Sequence, residues 1–234
     1  VGQAHDCDID KCHIINGKFE DGIDNIGLLN GEFISGGIPN CGIRNCSVTG
    51  TLKANGGWGA GGISGLIQIE GYHEHPGIIE KCFAICNIES NWNPESGFED
   101  AWAARYAGVF AGSLVAPLVK NCYARGSVYG NHSVAGFTSF RDTSTWSEST
   151  IENCYCAVSV DVDKEEQGPF MWDGPEHVIN CYYDSDIAGI LDNGIALPRT
   201  TAEMTYPYET PSIVYQNWDF EDIWNHDIGH AKND

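Results

Sequence analysis

The residues best suited to chemistry lie in one acidic and aromatic loop that runs from Trp92 to Trp102. Glu99 and Asp100 are neighbouring carboxyl groups, and a pair of carboxyl groups at a suitable separation catalyses the cleavage of a glycosidic bond. Arg105 follows closely and is a basic group of the kind that stabilises developing negative charge. The two tryptophans offer apolar faces for a sugar ring. The loop therefore predicts carbohydrate recognition, with Glu99, Asp100 and Arg105 as the catalytic candidates if the chain is an enzyme.

His73 and His75 are the candidate metal ligands. Two histidines at positions i and i+2 of a strand face the same way and are able to share a metal ion. The sequence specifies no third ligand for such an ion. A solvent-exposed polar turn is therefore the favoured interpretation, and we predict no metal site.

Three aspartates, Asp6, Asp8 and Asp10, have the spacing that opens a calcium-binding loop. An EF-hand is excluded, because Lys11 stands where that loop requires glycine and Gly17 stands where it requires a bidentate glutamate. We predict no resident cofactor, although the acidic composition is compatible with loosely bound Ca²⁺.

Six cysteines occur in similar short sequences, most of them as an Asn-Cys or Lys-Cys pair followed by an aromatic residue. An irregular but persistent period of this size is typical of a solenoid, in which each repeat buries its apolar face against the next. The six are Cys12, Cys46, Cys82, Cys122, Cys154 and Cys181, with intervals of 34, 36, 40, 32 and 27 residues.

Alternation within these repeats places each cysteine on the inner face of a strand. Cys122, Ala124, Gly126 and Val128 share one small and apolar face, so we predict a buried column of cysteines. Equivalent residues on parallel strands lie about 4.8 Å apart with their side chains side by side, which is poor geometry for a disulfide. We therefore expect free thiols in this column. Cys7 and Cys41 form either a second stack or a bridge.

The residue after each cysteine then points outward. Phe83, Tyr123, Tyr155 and Tyr182 are predicted to form an aromatic stripe, the second candidate surface for a ligand after Trp92 and Trp102. The alternative is that a loop or the C-terminal segment covers the stripe, because exposed apolar patches are usually small.

The repeats resemble a known family. The segment Asn121–Val128, followed by a glycine-rich strand such as Val134–Phe137 or Gly61–Leu66, is similar to the GLUG repeats of bacterial and archaeal surface proteins, and the resemblance covers most of residues 40–186. It implies an all-β chain, namely a single-stranded right-handed parallel β-helix, or β-solenoid. It also implies an adhesin-like or accessory role in a large secreted protein.

The expected organisation is a solenoid of about six irregular coils over residues 1–186, followed by a C-terminal cap over 187–234. Thr200 and Glu203 have the spacing of a capping box, which predicts a short helix in the cap. Trp218, Phe220 and Trp224 are large apolar groups suited to covering the last coil.

Charge narrows the class of partner. The 234 residues carry 12 basic and 33 acidic side chains, a formal net charge of −21, which disfavours nucleic acid and anionic membrane surfaces. No apolar stretch approaches the roughly 20 residues of a membrane helix. No leader precedes Val1, which indicates a mature chain or a fragment.

Together these patterns favour a non-catalytic module at the cell surface or outside the cell. Its expected partners are a polysaccharide or a surface protein, with end-to-end or homo-oligomeric stacking of coils as a further expectation. The alternative is a carbohydrate-active enzyme, either a glycoside hydrolase or a polysaccharide lyase, that acts on an extended polysaccharide.

Overall fold

The structure is a computed structural model. It describes residues 2–22, 24–36, 41–55, 58–69, 77–91, 106–115, 118–140, 150–162, 166–173, 177–190, 192–205 and 214–224.

The described chain is built mainly from short strands. The first eight are β1 (Gln3–His5), β2 (Asp8–Asp10), β3 (His13–Gly22), β4 (Ile26–Gly27), β5 (Asn30–Ser35), β6 (Gly42–Arg44), β7 (Ser47–Ala54) and β8 (Gly59–Gly61). The next eight are β9 (Ser64–Ile69), β10 (Ile78–Glu80), β11 (Phe83–Ser90), β12 (Tyr106–Gly108), β13 (Ala111–Val115), β14 (Leu118–Lys120), β15 (Tyr123–Gly130) and β16 (Ser133–Ala135). The remaining elements are β17 (Thr138–Phe140), β18 (Thr150–Glu152), β19 (Tyr155–Val162), β20 (Gln167–Gly168), β21 (His177–Ile179), β22 (Tyr182–Asp184), α1 (Ser185–Ala188), β23 (Leu197–Arg199) and α2 (Thr201–Thr205).

These strands form four parallel sheets. Sheet A has the order β1-β5-β9-β13-β17, sheet B β2-β6-β10-β14-β18-β21, sheet C β23-β22-β19-β15-β11-β7-β3, and sheet D β20-β16-β12-β8-β4. From β1 to β20 the chain visits the sheets in the constant order A, B, C, D, and we call one such passage a circuit. Each strand pairs with its equivalents in the circuits before and after it, as in the eight-residue register of β11 with β15. The prediction of an all-β chain with parallel strands is confirmed, and the architecture is β-helix-like.

The turn between sheets B and C explains the recurrent Asn-Cys pair. The residue before each column cysteine adopts the left-handed conformation, with φ between 51° and 55°. Asparagine tolerates this conformation better than other residues with a side chain, because its short amide group forms local hydrogen bonds. The residues concerned are Lys11, Asn45, Lys81, Asn121, Asn153 and Asn180.

The predicted cysteine column is confirmed. Cys46, Cys82, Cys122, Cys154 and Cys181 are at most 2% exposed, whereas Cys12, in the first circuit, is exposed. All ten cysteines are free thiols, and Cys7 and Cys41 precede the paired strands β2 and β6. Cys7 and Cys41 therefore form a second stack rather than a bridge.

Sheets A and D approach each other so closely that glycine is required between them. A Cβ atom added to Gly112 of sheet A would lie 2.5 Å from the backbone nitrogen of Ala60 and 2.8 Å from the carbonyl carbon of Gly59, both in β8 of sheet D. Beside this contact, at the turn from sheet D to sheet A, Phe110, Phe137 and Phe170 stack inside the protein with ring centroids 4.5 and 4.9 Å apart. The glycine-rich second strand of each repeat is thus a packing requirement.

Two short helices follow the last circuit within the described residues. Asp184 caps α1, because its carboxylate accepts hydrogen bonds from the backbone N–H groups of Asp186 and Ile187. The capping box predicted for α2 is confirmed: the Thr200 backbone N–H donates to the Glu203 carboxylate at 2.8 Å, and the Glu203 N–H donates to the Thr200 hydroxyl at 3.2 Å.

Candidate functional site

The aromatic stripe predicted from the sequence exists as a ladder of stacked rings on the outer face of sheet C. Phe83, Tyr123, Tyr155 and Tyr182 occupy equivalent register positions on four successive strands. The centroids of Phe83 and Tyr123 are 4.8 Å apart and those of Tyr123 and Tyr155 are 5.1 Å apart, with nearly parallel planes. Tyr123 therefore presents its edge, because Phe83 and Tyr155 occupy its two faces.

The C-terminal segment 214–224 covers the far end of this ladder. Tyr182 is only 3% exposed and packs with Val214 and Trp218, while Tyr155 contacts Trp218 and Trp224. Burial raises the pKa of the Tyr155 phenol above its ordinary value. The structure thus follows the alternative in which the C-terminal segment covers the stripe, and Tyr182 is buried rather than on the surface.

Phe83 and Tyr123 form the other end of the ladder, and both are half-buried. Trp224 reaches Tyr123, with ring centroids 6.3 Å apart. Beyond Phe83 the same register position is occupied by Ser47 and then His13, whose ring nitrogen Nδ1 lies 2.8 Å from the Ser47 hydroxyl. The ladder of rings therefore ends at Phe83 and continues toward the first circuit as a polar pair.

A surface depression of about 290 Å³ lies farther along the same outer face. Its outward-facing side chains come from equivalent positions of the three adjacent strands β7, β11 and β15, because residues two apart on a strand share a face. They are Thr51, Lys53, Asn87, Glu89, Ser127 and Tyr129.

Hydrogen bonds and one ion pair organise the depression. The Ser127 hydroxyl donates to the Asn87 amide oxygen at 2.9 Å, and Lys53 Nζ lies 2.6 Å from Glu89 Oε2. The hydrogen bond and charge of Glu89 raise the pKa of Lys53, and Lys53 lowers the pKa of Glu89, so both are ionised at neutral pH. The charges compensate each other, which leaves a surface of hydroxyl and amide groups suited to an uncharged, polyhydroxylated ligand.

Several predicted site residues lie outside the described part of the chain. They are Trp92, Trp102, Glu99, Asp100, Arg105, His73 and His75. Their roles stay predictions.

Within the described residues no group of three or more His, Cys, Asp or Glu side chains is placed to hold a metal ion. The three aspartates of the calcium-like sequence each have another partner: Asp6 accepts from the Gly36 N–H, Asp8 pairs with Arg44, and Asp10 accepts from Asn45. In the same part of the chain, no helix has both the length and the apolar character needed to cross a membrane.

A serine, a histidine and a glutamate meet at the start of β16, and their geometry is not that of a hydrolase triad. His132 directs the same nitrogen, Nδ1, at the Ser133 hydroxyl (3.1 Å) and at Glu166 Oε2 (2.9 Å), and the Ser133 hydroxyl itself donates to Glu166. A triad needs the two imidazole nitrogens to face serine and carboxylate separately. Ser133 is also only 1% exposed. Its hydrogen bond to Glu166 joins β16 to the residues just before β20, so the cluster links two circuits.

Sequence reasoning did not single out the residues of the depression. The alternation that places Tyr123, Arg125 and Ser127 on the outer face was visible in the sequence. Asn87 and Ser127 each lie five residues after a column cysteine, so the alignment of the cysteines is the signal that could have found this pair.

No family model matches the sequence, and no curated protein matches it. Among solved structures, the chain is similar to the crystal structure of a "putative immunoglobulin A1 protease" from Bacteroides ovatus, with a TM-score of 0.62 and 19% sequence identity. The match covers 85% of this chain and 62% of that protein. At this identity the likeness concerns the fold alone.

Proposed function

We propose that this protein is a right-handed parallel β-solenoid module of the cell surface or extracellular space that binds an extended, uncharged glycan without catalysis. The GLUG-like repeats and the constant order in which the chain visits four parallel sheets support the solenoid. A surface adhesin or filament component is the role that fits such a module best.

One observation carries the binding proposal: the depression on sheet C presents equivalent polar positions from three successive circuits. Stacking repeats these positions about every 4.8 Å along the protein, so a linear polymer meets a regular row of hydrogen-bonding groups. Tyr129 contributes an aromatic ring to the row, and aromatic rings pack well against sugar rings. The half-buried Phe83 and Tyr123 extend the same face and remain part of the proposed binding surface.

The covered end of the ladder supports a different role for Tyr155 and Tyr182, which we assign to holding the C-terminal segment. The named activity of the Bacteroides ovatus protein is not extended to this chain, because at 19% sequence identity the likeness concerns the fold alone.

The proposal is tested by glycan-array screening followed by calorimetry with each polysaccharide that binds. We expect Asn87→Ala and Tyr129→Ala to weaken binding at least tenfold. Ser127→Ala and Ser159→Ala form a matched pair, since the two serines occupy equivalent positions on β15 and β19 and only Ser127 lines the depression. Equal effects of these two variants would contradict the proposed site.

The enzyme alternative is tested on the same polysaccharides by measuring the release of new reducing ends. The binding proposal expects none. If turnover is found, Glu99→Gln and Asp100→Asn should abolish it and leave the affinity largely intact, and Trp102→Ala reports whether the loop contributes to binding.

A further inference from the structure

The two tryptophans of the C-terminal segment pack on the ring ladder at a regular interval. Trp218 contacts Tyr155 and Tyr182, with ring centroids 6.2 and 6.0 Å apart. Trp224 contacts Tyr123 and Tyr155, with ring centroids 6.3 and 6.0 Å apart. Each indole therefore spans the rings of two successive circuits, and the two indoles lie one circuit apart.

The next position of this series is the pair Phe83 and Tyr123. Their rings stack at 4.8 Å, and their strands keep the register that relates the covered pairs. In the described part of the chain, Phe83 has no ring contact except this one. Both rings are half-buried, so their outer edges remain accessible. We call this position the open subsite.

The ladder offers ring edges, and ring edges favour an aromatic occupant. An aromatic edge carries partial positive charge and an aromatic face carries partial negative charge, so the edge of one ring attracts the face of another. The planes of Trp218 and Trp224 are tilted by 33° to 50° against the ladder rings that they contact. The ladder thus already holds indole rings at two positions that are equivalent to the open subsite.

A backbone carbonyl at the turn beside the open subsite is suited to accept a hydrogen bond from an indole. Trp218 Nε1 donates to the carbonyl oxygen of Asn180 at 3.2 Å. Asn121 is the equivalent turn residue of the open subsite, and its φ of 55° matches the 51° of Asn180. Among the described residues, no group donates to the Asn121 carbonyl oxygen. Trp224 Nε1 is buried without an acceptor in the same part of the chain, so the ring contact is the feature that both indoles share.

The turn beside Phe83 carries a positive charge that the covered positions lack. Lys81 is exposed, and within the described residues its ammonium group forms no ion pair. The equivalent residues beside the covered rings are Asn153 and Asn180. At physiological ionic strength charges act over only about 8 Å, so Lys81 decides the local preference rather than the net charge of the protein. The charge favours an occupant with an acidic residue beside its aromatic ring.

We propose that the open subsite binds a tryptophan side chain of a separate polypeptide that has an acidic residue beside this tryptophan. The indole spans Phe83 and Tyr123, its N–H group donates to the Asn121 carbonyl oxygen, and the neighbouring carboxylate pairs with Lys81. The C-terminal segment has the same pattern, because three acidic residues lie within the five positions before its last tryptophan. The occupant is a protein side chain, so this inference goes beyond the glycan proposal and does not depend on it.

The test uses the 234-residue chain at physiological ionic strength and fluorescein-labelled hexapeptides. The first has the sequence Asp-Phe-Glu-Asp-Ile-Trp, the second ends in alanine, and the third ends in 1-methyltryptophan. Fluorescence anisotropy should show that the tryptophan peptide binds about tenfold more tightly than the alanine peptide. The methylated peptide, which keeps the ring but has no N–H group to donate, should have an intermediate affinity.

Variants of the protein locate the binding site. Phe83→Ala should abolish the preference for the tryptophan peptide. Lys81→Glu should weaken binding of this peptide about threefold, as loss of an exposed ion pair does, and should leave the melting temperature unchanged. Lys11→Glu is the matched control, because Lys11 is the equivalent turn residue two circuits away and the change in charge is the same. It should leave the affinity unchanged.

Four results would overturn the proposal. Equal affinities of the tryptophan and alanine peptides would show that the subsite does not select an indole. Equal effects of Lys81→Glu and Lys11→Glu would show a response to net charge alone. Binding of cellohexaose that Phe83→Ala abolishes, without binding of any peptide, would make a sugar ring the occupant. A dimer in sedimentation velocity that Phe83→Ala disrupts would make a second copy of the chain the occupant.

Discussion

The backbone N–H of Cys46 donates a hydrogen bond to the thiol of Cys82 in the next circuit, with 3.4 Å between nitrogen and sulfur. The same contact joins Cys12 to Cys46 and Cys122 to Cys154. Each thiol also lies within hydrogen-bond distance of the carbonyl oxygen two residues earlier, as Cys82 Sγ does at 3.2 Å from Glu80 O. The column therefore satisfies backbone groups at a buried turn, which an alanine column would leave unpaired.

This role of sulfur predicts an asymmetry between buried cysteines. We expect Cys82→Ala to lower the free energy of unfolding by about 1–3 kcal/mol more than Cys156→Ala, because only the former leaves a buried N–H group without an acceptor. Cys156 is the matched control: it is 1% exposed, and its thiol donates to the Pro169 carbonyl at 3.1 Å. Urea denaturation measures both, and equal losses would mean that the column acts through packing alone.

Burial of phenols and thiols predicts that the protein loses stability in alkali. Burial raises the pKa of Tyr155, of Cys156 and, to about 12, of Cys86. The unfolded chain releases these protons from about pH 8 upward, thiols before phenols, while the folded chain retains them, so unfolding becomes easier as pH rises through this range.

Urea denaturation between pH 7 and 11 should therefore show a nearly constant free energy of unfolding up to about pH 8 and a decline above it. Tyr155→Phe should make the decline shallower, because one buried phenol is gone. Trp218→Phe loosens the same cluster but removes no phenol. It should therefore lower the free energy of unfolding equally at all pH values and leave its dependence on pH unchanged. Identical slopes in wild type and Tyr155→Phe would refute the argument.

Charges of opposite sign alternate along equivalent positions of sheet B, where Glu80 pairs with Arg44 at 3.5 Å and with Lys120 at 3.2 Å. This arrangement predicts that reversing one charge lowers the free energy of unfolding by an amount that depends on salt. Glu80→Lys places three cations side by side and removes two ion pairs, which should cost about 1–2 kcal/mol at low ionic strength. In 1 M NaCl the cost should fall by more than half, because the charges are screened. Asp24→Lys supplies the control for net charge, and a loss that persists unchanged in salt would point to packing instead.

The covered end of the ring ladder predicts unequal effects along it. Tyr155→Ala should destabilise the protein by about 3 kcal/mol, because it opens a gap under Trp218 and Trp224. Phe83→Ala should cost less, since its ring stacks on Tyr123 at the end of the ladder and is half-buried. Thermal unfolding of the two variants compares them directly, and a larger loss for Phe83→Ala would be inconsistent with the observed packing.

The sequence was sufficient to predict the features that repeat. The Asn-Cys pairs, the inward column of Cys46, Cys82 and Cys122, and the outward aromatic residues all follow from strand alternation, because the same local geometry recurs in each circuit. The reason for the Asn-Cys pair is that the turn needs a left-handed residue followed by a buried thiol. Only the backbone angles and the hydrogen bonds of the structure show this.

Features that occur once were not predictable in the same way. The contact of Trp218 and Trp224 with Tyr155 joins residues more than sixty positions apart, and no periodicity encodes it. The depression depends on which residues of β7, β11 and β15 fall opposite one another. These residues lie five and seven positions after Cys46, Cys82 and Cys122, so the predicted cysteine stack already aligned them. Strand alternation did not show that the outer face forms a depression at these positions.

The contact between sheets A and D carries the last prediction. A Cβ at position 112 meets only backbone atoms at its three nearest contacts, namely Ala60 N at 2.5 Å, Gly65 O at 2.6 Å and Gly59 C at 2.8 Å. These atoms belong to β8 and β9, each of which is held by the strands of its own sheet, so they do not move aside as a flexible side chain does. We therefore expect Gly112→Ala to cost at least the 1–3 kcal/mol typical of overpacking.

Gly2→Ala is the control, because a Cβ at that position has nothing within 4 Å and should leave the free energy of unfolding unchanged. Urea denaturation of both variants tests the contact, and a change in the slope of the transition would show whether the sheets separate locally before the whole chain unfolds. A Gly112→Ala variant as stable as Gly2→Ala would mean that sheets A and D are farther apart than the structure has them. The glycine-rich strands of the repeats would then need another explanation than close packing.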